Sequence, residues 1–393
     1  MSSGFALLIS QRTRRLSLVL TVFCIYFAHT FTRRQSLATV PFTAFFQRSS
    51  LRIREKKNHW IKCPRCCSEV TETLATIQFP LEPNLVCFDV DFENNTTRFS
   101  VISSLAPVFS FYLRMAQSFL DDVGAETKFR RKIIWRIEDN STIEPTLVVR
   151  LKEAGFVVVA HSSKIYNTTA PQYSCWVPNF HFIEKKGFTE IISGLKASHV
   201  RFEERKPQIH WSGSTTGIPC DERIPCDNIC KDIQRVRLLR KFKAARWLDL
   251  ALTQVVQWCH GSRRFLHDEE LLGDNVEEKK WAQFRGILDI DGNVDAWGLR
   301  WRLKSGSVVF KVASSYEHFY SNMLVDGTHY ISVNSDMSDL LEKTSMIQSQ
   351  RPEDVQYLKK IAENARLLMT ELTYFKLVSS VGSAISEGEI SYP

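Results

Sequence analysis

The sequence predicts an α/β fold made of two sheets in tandem, with a cleft at the carboxyl ends of their strands. Three observations predict it. Short apolar runs such as LVCFDV (85–90), KIIWRI (132–137), FVVVA (156–160) and VVFKV (308–312) alternate with stretches of helical spacing, the rhythm of parallel sheets covered on both faces. A polar, proline-ended connector, Glu203 to Pro207, interrupts that alternation near the middle. The 393 residues, 44% of them hydrophobic, are enough for two cores at about 100–200 residues per domain.

The elements follow in order. Leu16 to Phe31 carries no formal charge and lies between RTRR and TRR. It is short against the roughly 20 residues of a typical span, but early-pathway membranes are thinner, and arginine on the amino side suits a cytosolic amino terminus. We read residues 1–15 as a cytosolic tail, 16–31 as a type II signal anchor and 32–70 as a stem; a cleaved signal peptide is the alternative. Ten basic residues against Glu55 precede Asn58, so the formal charge of +8 belongs to this arm and the body is near neutral. Nucleic-acid binding needs a basic patch on the folded surface, and that class is set aside. Sequons at Asn94, Asn95, Asn140 and Asn167 are compatible with a lumenal address. Beyond Cys24 lie nine cysteines, read as disulfides with one thiol over. A zinc knuckle at Cys63, Cys66 and Cys67 is less favoured, for no second pair follows at zinc-finger spacing.

Residues 71–206 form the first expected domain, on the acceptor side. Leu85 to Val90 is a strand, Pro107 to Leu120 a helix, and Lys132 to Ile137 a strand ending in Glu138 and Asp139. Pro145 to Ala154 is a helix, Phe156 to Ala160 a strand, and 173–200 loops with a short helix. The second domain, 207–380, opens with strand Ile209 to Trp211 and a Gly/Ser/Thr turn. Residues 232–258 are helical, with strand character in DLALTQVVQW. Then come strand Leu288–Ile290, helix Ala296–Lys304, strand Val308–Val312, helix Tyr316–Val325, strand His329–Val333, and helices Met337–Gln348 and Pro352–Phe375. Residues 381–393 are read as a tail.

Chemistry concentrates in the second half. Asp289 to Asn293 (DIDGN) closes a strand in a tight turn, and Ser305-Gly306-Ser307 leads into the next strand. Small polar residues in such turns let backbone N–H groups approach a phosphate, and Arg300, Arg302 and Lys311 offer counter-charge. By residue chemistry alone, an anion site and ordinary turns beside solvated arginines are equal readings.

The ordered strings LDIDGN, WGLRWRLKSGSVVFKV, YEHFY, HYISV and SDMSDLLEK resemble the donor half of glycosyltransferase family 90, the capsule-associated and protein O-glucosyl/O-xylosyltransferase family. Upstream, Ile209 to Thr216 (IHWSGSTT) resembles that family's strand and Gly-Ser-Thr turn. Arg235 and Arg237 fall where the family carries an arginine before a leucine. The likeness runs from about Lys132 to Tyr374. Ser212 stands where many members have arginine, and Gly298 where many have serine.

The resemblance implies a GT-B fold, a UDP-sugar donor, a protein or glycan acceptor, no required metal or other cofactor, and inversion at the anomeric carbon. It places donor contacts at Ser212, Gly213, Ser214, Thr215, Arg237, Asp291, Gly292, Asn293, Trp297, Arg300, Ser305, Gly306, Ser307, Lys311 and Glu317, with His329 and Tyr330 nearby. A general base must take the acceptor proton, and N–H or cationic groups must stabilise the leaving diphosphate. The family's base is an aspartate at a strand end in the first domain. Asp139 fits first and Glu138 second, against a turn or helix-cap role. Asp289-x-Asp291 as a manganese site is the minority reading. The other function class is an inactive relative that binds glycans or partners in the lumen.

Overall fold

A computed structural model of the chain describes residues 60–63, 66–70, 83–164, 173–197, 200–217, 233–256 and 266–387. The expected anchor, most of the stem, the sequon at Asn167 and Cys220, Cys226, Cys230 and Cys259 lie outside these residues. Among the described residues no helix is long and apolar enough to cross a membrane.

The first sheet is built from β1 (Ile61–Lys62), β2 (Leu85–Asp91), β3 (Thr96–Val101), β4 (Arg130–Arg136), β5 (Val157–Ala160) and β7 (Cys175–Trp176), in the order β1-β3-β2-β4-β5-β7. Its central strands are apolar on both faces: Val86, Phe88, Ile133, Trp135, Val158 and Val159 are all buried. That is why they read as continuous rather than alternating runs. The sheet is mixed, however. β2 is antiparallel to both β3 and β4, while β4, β5 and β7 are parallel. The tight turn 92–95 forces the reversal: Asn95 takes φ 54°, and the Asp91 carboxylate accepts from the Asn94 backbone N–H at 3.0 Å. The Cys67–Cys87 disulfide fastens the segment between β1 and β2 to β2.

Helices α1 (Ser110–Glu126) and α2 (Pro145–Glu153) occur where apolar spacing predicts them. In α2, Pro145 stands in the first turn and Glu144 caps the Leu147 N–H at 2.9 Å. Residues 173–200 hold two helices, α3 (Phe180–Glu184) and α4 (Thr189–Ala197).

The second sheet is wholly parallel. It contains β8 (Lys206–Ser214), β9 (Leu248–Gln254), β10 (Phe284–Asp289), β11 (Val308–Val312) and β13 (Ile331–Val333), in the order β13-β11-β10-β8-β9. Counted from β8, this is the 2-1-3-4-5 order of doubly wound sheets, whose winding reverses between β8 and β10. The connector expected at Glu203–Pro207 is a single 3-10 turn (Phe202–Glu204) running into β8 at Lys206. Helices α5 (Gln234–Phe242), α6 (Leu299–Lys304), α7 (Leu340–Gln348) and α8 (Pro352–Glu371) accompany the sheet, and DLALTQ proves to be strand β9.

Besides the mixed first sheet, where parallel pairing was expected, two expectations fail here. Tyr316 to Val325 is not a helix: β12 (Tyr316–His318) pairs antiparallel with β6 (Ser162–Lys164), stitching the second half to the first. Residues from 381 are not a free tail as far as Glu387. Helix α9 (Tyr374–Glu387) buries Val381, Ala384 and Ile385 and packs on α1 of the first half. The Tyr374 hydroxyl donates to Asp122 at 2.7 Å. Accordingly Asn58–Pro393 forms one compact unit, and its larger core combines first-sheet residues with Ile287, Leu299, Leu303, Phe319 and Tyr320.

Candidate active site

In open parallel sheets, ligands sit outside the carboxyl ends of strands where the winding reverses. Here that place lies between the ends of β8 and β10, where two of the turns singled out in the sequence meet. Asn293 Oδ1 accepts from the Gly217 N–H at 3.0 Å. A β-carbon at Gly292 would come within 2.8 Å of Thr216 Oγ1 and 3.2 Å of the Arg235 guanidinium, so only glycine allows this approach.

Arg235 binds the two turns together. Its Nη1 donates to Thr216 Oγ1 at 2.6 Å and to the Ser214 carbonyl at 3.2 Å. Nε donates to the Asp291 carbonyl at 2.8 Å, and Nη2 to the Ile290 carbonyl at 3.1 Å. Burial, with the Arg302 charge nearby, pulls it down to about 10. The expected contact, Arg237, instead faces solvent. Ser212 is buried within β8, and Thr215 ties the end of β8 to the β9 side, accepting from the Val256 N–H at 3.0 Å.

Asp139 reaches the same place from the first sheet. It follows β4; its Oδ1 accepts from the Tyr112 hydroxyl at 2.9 Å and its Oδ2 from Asn293 Nδ2 at 3.0 Å. Burial and the Asp139 charge push the Tyr112 phenol upward, so it remains the donor. The backbone is held from below. Trp135 Nε1–H donates to His161 Nδ1 at 3.0 Å, which leaves the ring proton on Nε2, 3.2 Å from the Asp139 carbonyl. Complete burial lowers His161 to about 3, keeping it neutral. Asp139 caps nothing: Asn140 Oδ1 receives the Thr142 N–H of the local turn at 3.0 Å, and Glu144 caps α2. Glu138 is engaged elsewhere, with Arg136 at 2.5 Å and Asn84 Nδ2 at 2.6 Å, and burial raises it.

Stacked rings wall this corner. Tyr112 lies on Phe180 at 4.6 Å, and Trp297 stands 4.6 Å from His181 and 6.0 Å from Tyr112. At the β10 end, Asp289 is buried and paired with Arg302. Burial raises Asp291 to about 6, and Lys311 counteracts that rise. Asp295 is buried, accepts from Ser162 Oγ and lies 2.7 Å from His318 Nδ1 beside the β6–β12 ladder that carries Glu317. Among the described residues no group of three or more His, Cys, Asp or Glu side chains converges as a metal site.

Besides Arg237, four expected donor contacts are not brought here. Arg300 is buried in α6, where it donates to the carbonyls of Gly187, Met369 and Leu372 and lies over the Phe182 ring. It is a clasp between halves. Ser305, Gly306 and Ser307 precede β11, so they lie at the amino edge of the sheet, the opposite end from Lys311. His329 is likewise engaged locally, accepting from the Val325 N–H at 3.1 Å.

The sequence profile of "Glycosyl transferase family 90" matches residues 159–378. Over 115 residues the chain is 40% identical to protein O-glucosyltransferase 2 of Danio rerio, covering 28% of this chain and 21% of that protein. Over 211 residues it is 22% identical to uncharacterized protein 179R of Invertebrate iridescent virus 6, covering 49% and 18%. The matched stretches thus span about a fifth of each relative's length. Among solved structures, TarM is similar at TM-score 0.32 and 11% identity, covering 63% of this chain and 54% of that one. Sucrose-phosphate synthase from Thermosynechococcus elongatus is similar at 0.32 and 9%, covering 81% and 91%.

Proposed function

Because this chain belongs to glycosyltransferase family 90, we propose that it is an inverting, UDP-sugar-dependent transferase of GT-B type that moves glucose or xylose to a hydroxyl of a protein or glycan. It would work in the lumen of the endoplasmic reticulum or Golgi, held there by residues 16–31. The observation that carries this reading is the 3.0 Å hydrogen bond from Asn293 to Asp139, which joins the best base in one sheet to the donor turn of the other.

Asp139 takes the acceptor proton while the acceptor oxygen attacks the anomeric carbon from the face opposite the diphosphate. The bond from that carbon to the diphosphate breaks, and its electron pair leaves with UDP. Lys311, paired in register with Asp289 and beside the Asp291–Asn293 turn, meets the developing charge. Tyr112 and Asn293 hold the carboxylate with one oxygen each, and His161 fixes its backbone. Metal-independent departure is part of the proposal: Asp289, first carboxylate of the D-x-D pair, already has Arg302 as its counter-ion.

The test is UDP release by the purified full-length protein from UDP-glucose and UDP-xylose, with and without EDTA. Release from either, resistant to chelation, is expected. Release from no UDP-sugar would leave an inactive, glycan-binding relative as the reading.

A further inference from the structure

Of the turn Ser305-Gly306-Ser307, removed by the topology from the donor site, the first two residues line a different cavity. This cavity, of about 400 Å³, opens at the amino edge of the second sheet between α4, the 200–205 connector, the end of α6 and α8. We propose that it is a second, anion-binding site, taking a phosphate or sulfate ester of roughly monosaccharide size.

Its cations outnumber its carboxylates. Lys196, Arg205, Lys304 and Arg366 make no ion pair among the described residues, while Glu203 is bound to Lys359 at 2.9 Å, leaving Glu363 as the other acidic group in the wall. Excess positive charge on a surface is usually a solvated face. Arg205 argues against that here, for its residue is only 6% exposed and it has no carboxylate partner among the described residues. Nη1 donates to Ser307 Oγ at 2.9 Å and Nε to the Val200 carbonyl at 3.1 Å, which holds the guanidinium in place. Nη2 has no acceptor among the described residues and lies beside Gly306; a β-carbon there would stand 3.2 Å from it. With φ at +76°, glycine keeps that approach open. Lys304 is anchored to the Arg366 carbonyl at 3.0 Å and to Thr370 Oγ1. Burial and the charges of Arg366 and Lys196 depress it to about 8, as expected where positive charge is uncompensated.

The volume exceeds that of a bare oxyanion, and Leu195, Phe202 and Ala362 give it an apolar wall for the body of an ester. The site is separate from the donor turns. Ser307 precedes β11 and Lys311 is near its far end, and four residues of extended strand hold the two about 13 Å apart.

The experiment is calorimetric titration of the full-length protein with glucose, inorganic phosphate, glucose 6-phosphate and a sulfated disaccharide, repeated with excess UDP. At least one ester should bind tenfold or more tighter than glucose, and UDP should not displace it. The preferred ester tells which source, phosphorylated metabolite or sulfated glycan, the site serves. Lys196→Glu/Arg366→Glu alters two exposed positions. It should weaken ester binding at least tenfold, with melting temperature and UDP release unchanged. No ester binding, displacement by UDP, or full binding by the double variant would overturn the proposal. None of these results depends on which donor sugar the catalytic site accepts.

Discussion

Asp139 stands at the end of β4, a position legible in the sequence because KIIWRI ends in two acids and the carboxyl end of a strand faces the cleft. The sequence ranked Asp139 ahead of Glu138, and Arg136 and Asn84 supply a physical reason by engaging Glu138. Asp139→Asn should lower kcat by roughly 10²–10⁴-fold, the usual worth of a general base, and leave UDP affinity unchanged. Steady-state kinetics together with UDP titration check both halves of that expectation. His161 gives a second prediction at this scale. Its folded value of about 3 lies below the ordinary 6.5. Its contribution is therefore complete above pH 6.5, and lost at about 1.4 kcal/mol per pH unit as pH falls toward 3. Urea unfolding at pH 7.5 and 5.5 should show the loss, and His161→Gln should remove that slope. The arginines teach the limit of residue-by-residue reading. Arg235 and Arg237, two apart on one helix, point in different directions, and only the packed phase of α5 shows which meets the turns.

Among the elements, α6 departs most from its expected role. Its basic string suggested diphosphate ligands, yet Arg300 fastens the end of α8 to the Gly187 turn of the first half. Arg300→Leu leaves those carbonyls without their donor. It should cost about 1–3 kcal/mol or more in urea unfolding, with the donor KM unchanged in activity assays. A diphosphate ligand would show the reverse pattern. The Ser305–Ser307 turn was misplaced for a topological reason. A turn that precedes a parallel strand lies at the opposite edge from one that follows it, and local composition does not distinguish the two. Tyr316–Val325 was misread because the deciding contact, β12 on β6, is made with residues more than a hundred positions earlier.

For the whole molecule, alternation of strands and helices was legible, and the second sheet follows it with a wholly parallel, doubly wound order. The mixed first sheet was not, since a run apolar on both faces carries no sign of strand direction. Nor was the unity of the body. The core shared between halves, the β6–β12 ladder and α9 join what the Glu203–Pro207 connector seemed to divide.

The return of α9 to the first half has a consequence for biosynthesis. Its segment leaves the ribosome after every other described element, yet it covers α1, one of the earliest. The amino-terminal half therefore emerges with part of its apolar surface uncovered while the second sheet is still being translated. Until that last cover docks, the uncovered face is open to aggregation, and a stop before Tyr374 would leave it uncovered.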